Sequence, residues 1–329
     1  MQTPQSKSLN ATAMAHPNVA LIKYWGKRDA ASNLPAVGSL SVTLGALRTE
    51  TTISFDESLR SDVLVLNGAE QPTEHSRLTA CMDALRDLSG RRIFAEVASE
   101  NDFPTGAGLA SSASGYAALV TAAAAALGID AQDPRLLDIS RIGSGSAPRS
   151  LFGGMAVLRN AGDGTLCEQL IRPEDWALSV VVAVTTEAAK TTTSRDGMEQ
   201  SRLTSPYYDQ WIATHDDDME AAIGFVNDRN FMGLAELAEH NCLKMHSVMM
   251  TTRPPLLYWS PATLAVMHKI DAMRKAGVPV FYTIDAGPQV KAVCLTDVAA
   301  DVDAELAVTS GVLRTITGEL GHGARVVAD

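Results

Sequence analysis

The sequence is poor in the features of a cross-linked, metal-built or membrane-embedded protein. Its 329 residues hold four cysteines (Cys81, Cys167, Cys242 and Cys294), far apart and without a CxxC pair. That spacing argues against a disulfide framework or a zinc ribbon and fits a reducing compartment. No HExxH pattern occurs among the seven histidines. His240 and His246 fall on different faces of any helix, so each reads as a structural or surface residue. Long apolar runs are missing too. The longest, Tyr116 to Leu127, is alanine-rich and far too short to cross a bilayer. The opening MQTPQSKSLN lacks a signal-type apolar core, so a cytoplasmic location is expected, with no membrane partner. Positive charge is also scarce. With 27 Lys and Arg against 38 Asp and Glu, the formal net charge is −11, which argues against a nucleic-acid partner. An enzyme for anionic substrates must then gather its few cations locally, so Lys and Arg beside glycine-rich turns become informative.

What is present describes a globular chain of mixed helix and strand, α/β or α+β. Hydrophobic residues make up 46% and charged residues 20%, a soluble balance, and the length suffices for one large or two ordinary domains with real cores. Thr51 to Phe55 and Val63 to Leu66 read as strands, the second ending in an Asn67-Gly68 turn. Glu74 to Leu88 has helical spacing, and Arg92 to Ser99 alternates like a strand. A glycine-rich turn then leads to a helix from Leu109 to Leu127, followed by a shorter one over Asp133 to Ile142 with Asp133 as cap. Ala177 to Thr185 is almost continuously apolar, as in a strand buried on both faces. Helices are expected over Tyr207 to Asn227, Phe231 to Met249 and Pro261 to Ala276. Strands are expected over Val280 to Ile284 and Val290 to Leu295, with a last helix over Asp301 to Leu313. The pattern predicts two lobes, residues 1–190 and 191–329.

Five segments could carry chemistry. Pro104-Thr-Gly-Ala-Gly-Leu-Ala-Ser-Ser-Ala-Ser114 brings glycines, helix N-terminal amides and the hydroxyls of Ser111 and Ser112 together, a donor set for phosphate. It is neither a Walker loop nor a dinucleotide fingerprint, and an ordinary helix cap would look similar. Ala15-His-Pro-Asn-Val-Ala-Leu-Ile-Lys-Tyr-Trp-Gly-Lys27 puts Lys23, Tyr24 and Lys27 at the end of an apolar strand, where snorkelling lysines are the plain alternative. Arg141-Ile-Gly-Ser-Gly-Ser-Ala-Pro-Arg-Ser150 offers Ser144, Ser146 and the planar fork of Arg149, suited to a carboxylate or phosphate. Thr283-Ile-Asp-Ala-Gly-Pro-Gln289 places Asp285 between a buried strand and a tight turn. An acid there can cap the turn or meet a hydroxyl nucleophile in phosphoryl transfer. Ser194-Arg-Asp-Gly-Met198 adds Arg195, ready for an anion.

Together and in this order, NVALIKYWGK, GLASSASG, GSGSAPRSLFGG and IDAGP resemble the mevalonate diphosphate decarboxylase family of the GHMP kinase superfamily, from about Ala15 to Gln289. The phosphate-loop pattern alone identifies only the superfamily. The resemblance implies a two-lobed α+β fold, an N-terminal ribosomal-protein-S5-like lobe and a C-terminal ferredoxin-like lobe, with the site in the cleft. It implies ATP with Mg²⁺, mevalonate 5-diphosphate as substrate, isopentenyl diphosphate as product, and a homodimer. Carried over by position, Asp285 orients or deprotonates the tertiary hydroxyl, Lys23 stands beside it, and Arg149 holds the carboxylate. Tyr24, Lys27, Ser144, Ser146, Ser194, Arg195 and Met198 match substrate-side positions. Ser99, Asn101, Gly106, Gly108, Leu109, Ala110, Ser111 and Ser112 match the nucleotide side.

The chain departs from the family pattern in three places. Val37 and Gly38 stand where Asn-Ser is usual, which removes two polar side chains and leaves Ser39 and Ser41. Pro148 replaces a common cysteine, and Ala-His-Pro-Asn moves the opening proline while keeping Asn18. Rival expectations are a mevalonate 5-phosphate decarboxylase, a 3-kinase of the same fold, and a non-catalytic nucleotide-binding protein.

Overall fold

A computed structural model describes residues 9–30, 32–71, 75–104, 108–188 and 192–327. A six-stranded sheet carries the nucleotide-side elements. Its order is Arg325–Val326, Asn10–Ala15, Thr49–Asp56, Phe94–Asn101, Val63–Leu66 and Ala69–Glu70, antiparallel except where Val63–Leu66 runs parallel to Phe94–Asn101. Asn67 and Gly68, both at positive φ, make the tight turn that their sequence predicts. The helices His75–Ser89 and Ser111–Leu127 cover one face of this sheet, burying Leu78, Met82, Leu85, Leu119 and Val120 against Ile53 and Val97. Alanine fills much of the second helix, so the helix lies close to the strands and brings its N-terminus to the sheet's end.

Two four-stranded antiparallel sheets form the rest. One orders Gly164–Ile171, Met155–Ala161, Ser39–Thr43 and Asn18–Ile22; the other orders Val280–Ile284, Val290–Leu295, Leu178–Val184 and Arg314–Glu319. Leu178–Val184 is buried along its whole length, with Val180, Val182 and Val184 in one core and Val181 and Ala183 in another. The alternation of a strand sends neighbouring valines to opposite faces, and both faces are covered. The first of those cores also takes Val19, Leu21, Leu40 and Val157 from the other sheet, together with Leu234 and Ala238 of the helix Phe231–Met250. One apolar core thus binds the two halves of the chain.

Two expected helices change. The helix expected over 207–227 is two, Tyr208–Ala213 and His215–Asn227, broken at Thr214. Asp216, Asp217 and Asp218 start the second, where the helix dipole favours negative charge. The last helix is Ala299–Ala307, stopped before Val308, Thr309 and Gly311, the last at φ +83°. The strand Arg314–Glu319 that follows is too polar to have been read as one. Leu178–Val184 pairs with Val290–Leu295 and Arg314–Glu319, in the sheet of the second half.

Candidate active site

The sheet Asn18–Ile22 and Ser39–Thr43 ends where the cations gather. Pairing to Ser39–Thr43 lapses after Ile22, so Lys23 to Gly26 leave the sheet instead of continuing its alternation. Lys23 is buried and its Nζ lies 2.7 Å from Asp285 Oδ1. Asp285 follows the strand Val280–Ile284, and its side chain keeps about a quarter of its surface open. Burial pushes the Asp285 carboxyl up, but the ammonium groups of Lys23 and Lys291, the Lys23 hydrogen bond and Arg149 together outweigh it. The net effect holds Asp285 below the usual carboxylate range.

Arg149 is buried and fixed by neutral oxygens alone. Its Nε and Nη2 donate to Asn18 Oδ1 at 3.2 and 3.0 Å, Nε also reaches Ser41 Oγ at 3.0 Å, and Nη1 donates to Ser39 Oγ. Asn18 in turn donates to Ser150 Oγ at 2.7 Å, which locks the fork's side edge. A guanidinium has five N–H bonds, so its terminal nitrogens keep donors that no described residue takes. An anion is the natural complement of that end. The short helix Ala147–Ser150, begun by Ala147-Pro148, delivers Arg149 inward from the serine loop.

The substrate-side and nucleotide-side candidates meet through hydroxyls. Ser112 Oγ, Ser144 Oγ and Ser146 Oγ form a chain with 3.2 Å steps, joining the phosphate loop to the arginine loop. Ser111 and Ser112 open the helix Ser111–Leu127; Ala110 before it is at φ +55° and Gly108 at φ +81°. A side chain on Gly108 would press on Gly287 at 3.1 Å, so glycine lets the phosphate loop abut the Asp285 turn. Gly106 lies outside the described residues, while Leu109 is buried behind the loop. A cavity of about 350 Å³ runs from Ser111 and Ser112 past Ser99, Asn101, Arg77 and Tyr116. Ser99 Oγ rests 2.9 Å from Thr51 Oγ1, and Asn101 accepts from Thr49 at 2.5 Å. A cavity of about 430 Å³ near Leu9, Arg60 and Arg91, at the other end of the sheet, contains none of these candidates.

Tyr24 is packed against Gly145, where a side chain would come within 2.8 Å of its hydroxyl. That hydroxyl is buried and has no hydrogen-bond partner among the described residues. Lys27 is half-buried, and burial, with help from Arg195 and Arg77, brings its ammonium down to about 8. Ser194 and Arg195 start the helix Ser194–Thr204, capped by Thr193 accepting from the Asp196 amide. Met198, from the same helix, is buried with Trp25, Val37 and Ala286, an apolar floor beneath the Asp285 turn. At the departures, Val37 faces that floor, and a side chain on Gly38 would meet the Leu158 carbonyl at 2.9 Å. Neither position lines the cavity. No group of three or more described His, Cys, Asp or Glu is arranged to hold a metal.

Comparison with known proteins agrees in order and extent. Residues 15–169 match the model for the diphosphomevalonate decarboxylase-like N-terminal domain, and residues 180–313 match that for the mevalonate 5-diphosphate decarboxylase C-terminal domain. The chain belongs to the diphosphomevalonate decarboxylase family. The family's enzyme from Candida albicans is 37% identical over 300 residues, covering 85% of this chain and 82% of its own. That of Schizosaccharomyces pombe is 34% identical over 98% of this chain and 94% of its own. The crystal structure of the Staphylococcus aureus mevalonate diphosphate decarboxylase superposes with a TM-score of 0.90 at 35% identity, covering 97% of this chain and 98% of that one. MDDEF, solved in complex with MVAPP, AMPPCP and magnesium, superposes with a TM-score of 0.88 at 35% identity, covering 97% and 99%. The two-lobed GHMP kinase fold is therefore that of this chain.

Two residues at the candidate site gave little signal in sequence. Lys291 is a lone charge within VKAVCL; it is buried and its Nζ donates to the Gly108 carbonyl at 2.8 Å. Arg77, over the Tyr116 ring in the cavity, sits in an unremarkable helix, where its exposure could not be read. A charged residue isolated in an apolar strand was the one available cue, and it points to Lys291.

Proposed function

We propose that the chain converts mevalonate 5-diphosphate and ATP to isopentenyl diphosphate, ADP, phosphate and CO₂. The observation that carries the proposal is the Lys23–Asp285 pair beside the free end of Arg149, all at the phosphate loop. The relative solved with MVAPP, AMPPCP and magnesium supports the same substrates.

In this reading Asp285 orients the tertiary hydroxyl and takes up its proton as the oxygen attacks the γ-phosphorus of ATP. The bond from that phosphorus to the bridging oxygen breaks, releasing ADP. Lys23 holds Asp285 ionised and faces the charge that develops on the phosphoryl group. A crowded tertiary hydroxyl gains more from orientation than from full deprotonation. Once phosphorylated, the C3 oxygen departs with its bonding pair as phosphate. The pair from the carbon–carboxylate bond then forms the double bond and CO₂ leaves. Arg149 grips the carboxylate through its open end, while Asn18 and Ser41 keep the guanidinium from following it. Tyr24, Lys27, Ser144, Ser146, Ser194, Arg195 and Met198 line the substrate's side. Ser99, Asn101, Gly106, Gly108, Leu109, Ala110, Ser111 and Ser112 serve the nucleotide.

Backbone amides and hydroxyls at the phosphate loop suit a nucleotide's phosphate oxygens, which bring Mg²⁺ with them. Held there with the nucleotide, the ion would supply positive charge against the transferring phosphoryl group. The sheet pairing of Leu178–Val184 favours a lobe division before residue 178 over one at 190. The same reading takes the chain to be a cytoplasmic homodimer, on the strength of family resemblance. No helix among the described residues is long and apolar enough to cross a membrane.

The test is to follow ADP and CO₂ with mevalonate, its 5-phosphate and its 5-diphosphate. Both products with the diphosphate as best substrate is the expected result. ADP without CO₂ would mean a kinase, neither product a binding protein, and preference for the monophosphate a different decarboxylase.

A further inference from the structure

The Lys23–Asp285 contact joins two segments from different sheets, so something must set their distance. Pairing to Ser39–Thr43 shifts register between Ala20 and Ile22 and ends there, which strips the Lys23 main-chain N–H of a ladder partner. A buried amide must find another acceptor. It finds Asn241 Oδ1 at 2.8 Å, from the fully buried carboxamide of Asn241 on the helix Phe231–Met250. The other end of that carboxamide donates to Asp218 Oδ2 at 2.7 Å. Asp218 also pairs with Lys244 Nζ at 2.7 Å.

The next residue of the helix grips the other segment. Cys242 Sγ donates to the Ile284 carbonyl at 3.4 Å and accepts from the Ile284 amide at 3.3 Å. His246, one turn on, has Nε2 3.2 Å from the same carbonyl. Ile284 immediately precedes Asp285. Two consecutive residues of one helix therefore hold the backbones that carry the two members of the pair. Thr283 Oγ1 donates to the Ala20 carbonyl at 2.9 Å, a direct tie between the same two strands.

We propose that Asn241 is a positioning residue for phosphoryl transfer. Through the Lys23 amide, and braced by Asp218, it places Lys23 Nζ against Asp285, while Cys242 keeps the Asp285 strand in register on the same helix. The proposal rests on the reading of Lys23 and Asp285 as the transfer pair. Asn241 touches neither reactant. Its removal should therefore act on turnover through Lys23 and leave substrate affinities nearly unchanged.

The experiment compares wild type, Asn241→Leu, Asn241→Asp, and the exchange Asn241→Asp with Asp218→Asn, using ATP and mevalonate 5-diphosphate. Asn241→Asp keeps an acceptor for Lys23 but sets carboxylate against carboxylate; the exchange restores the bond with donor and acceptor reversed. Displacement of a reacting group by a fraction of an ångström to an ångström costs up to roughly a hundredfold in rate. Both single variants should lose about ten- to a hundredfold in kcat with either KM within about threefold, and the acid limb of kcat should move up as Lys23 leaves Asp285. The exchange should recover most of kcat and return the limb. Single variants that keep wild-type kcat per folded molecule, or an exchange no faster than Asn241→Asp, would overturn the proposal. If Asn241→Leu does not fold, the pair of aspartate variants decides alone. Failure of wild type to turn over the diphosphate at all would instead count against the functional reading itself.

Discussion

Lys23 Nζ and Asp285 Oδ1 meet at 2.7 Å across 262 positions of sequence, with the lysine buried and the carboxylate partly open. An isolated charge in such a place would be costly, and the contact sets opposite charges against each other. The arrangement gives the partly open Asp285 carboxylate a defined charge at the proposed reaction site.

That balance can be shifted. Burial alone pushes the Asp285 carboxyl upward, and Lys23 is the first of the cations that outweigh it. Its depressed value means that Asp285 stays a carboxylate until pH falls below the ordinary carboxylate range, so wild-type turnover should show no acid limb from Asp285 near neutrality. Lys23→Met removes the largest of those cations and its hydrogen bond, so the acid limb should move up in pH as overall rate falls. A pH–rate profile of single-turnover ADP formation measures it; an unmoved limb would contradict the assignment.

Lys27 supplies a limb on the other side. Its ammonium, brought down to about 8 by burial and then by Arg195 and Arg77, loses charge as pH rises through that value. Affinity for the diphosphate substrate should weaken between about pH 7.5 and 9, less steeply once the substrate's own charge holds the proton. Lys27→Gln should weaken binding at pH 7 by about tenfold, as for one charge-assisted hydrogen bond, and flatten that dependence. Calorimetric titration at several pH values reads both.

Arg149→Lys keeps a positive charge but not a fork. An ammonium cannot span Asn18, Ser41 and Ser39 while also offering two parallel donors to a carboxylate. We expect a loss of about a hundredfold or more in CO₂ release, with ADP formation less affected. Parallel measurement of both products is the check, and equal loss of the two would place Arg149 in phosphoryl transfer instead.

Away from the site, Arg86 and Asp62 form a buried ion pair, with Asp62 also accepting from the Ala95 amide at 2.9 Å. Arg86→Met leaves that carboxylate without its cation. It should cost about 3–5 kcal/mol in denaturant unfolding, with kcat per folded molecule unchanged. A shift in kcat would mean that the nucleotide-side sheet transmits strain to the site.

Much of this could be read in the sequence, and the reason is local. Val280–Ile284, Val290–Leu295 and Leu178–Val184 have the apolar density of buried strands, and Ser111–Leu127 the composition of a close-packed helix. Arg314–Glu319 could not be read, because its pairing to Leu178–Val184 rather than its polar side chains makes it a strand. Arg149 and Asp285 were recognisable only by the company of other motifs, since each alone fits a surface arginine or a turn cap. Asn241 was illegible. Its task is to satisfy an amide left over by a register shift more than two hundred residues earlier, and no local pattern encodes that.

The most direct test of the account is Asp285→Asn, which keeps the size of the side chain and removes its charge. ADP and CO₂ formation from mevalonate 5-diphosphate should both fall by several orders of magnitude, while ATP affinity by calorimetry stays within a few-fold of wild type. Turnover near the wild-type rate in that variant would contradict the role given to the Lys23–Asp285 pair and, with it, the mechanism.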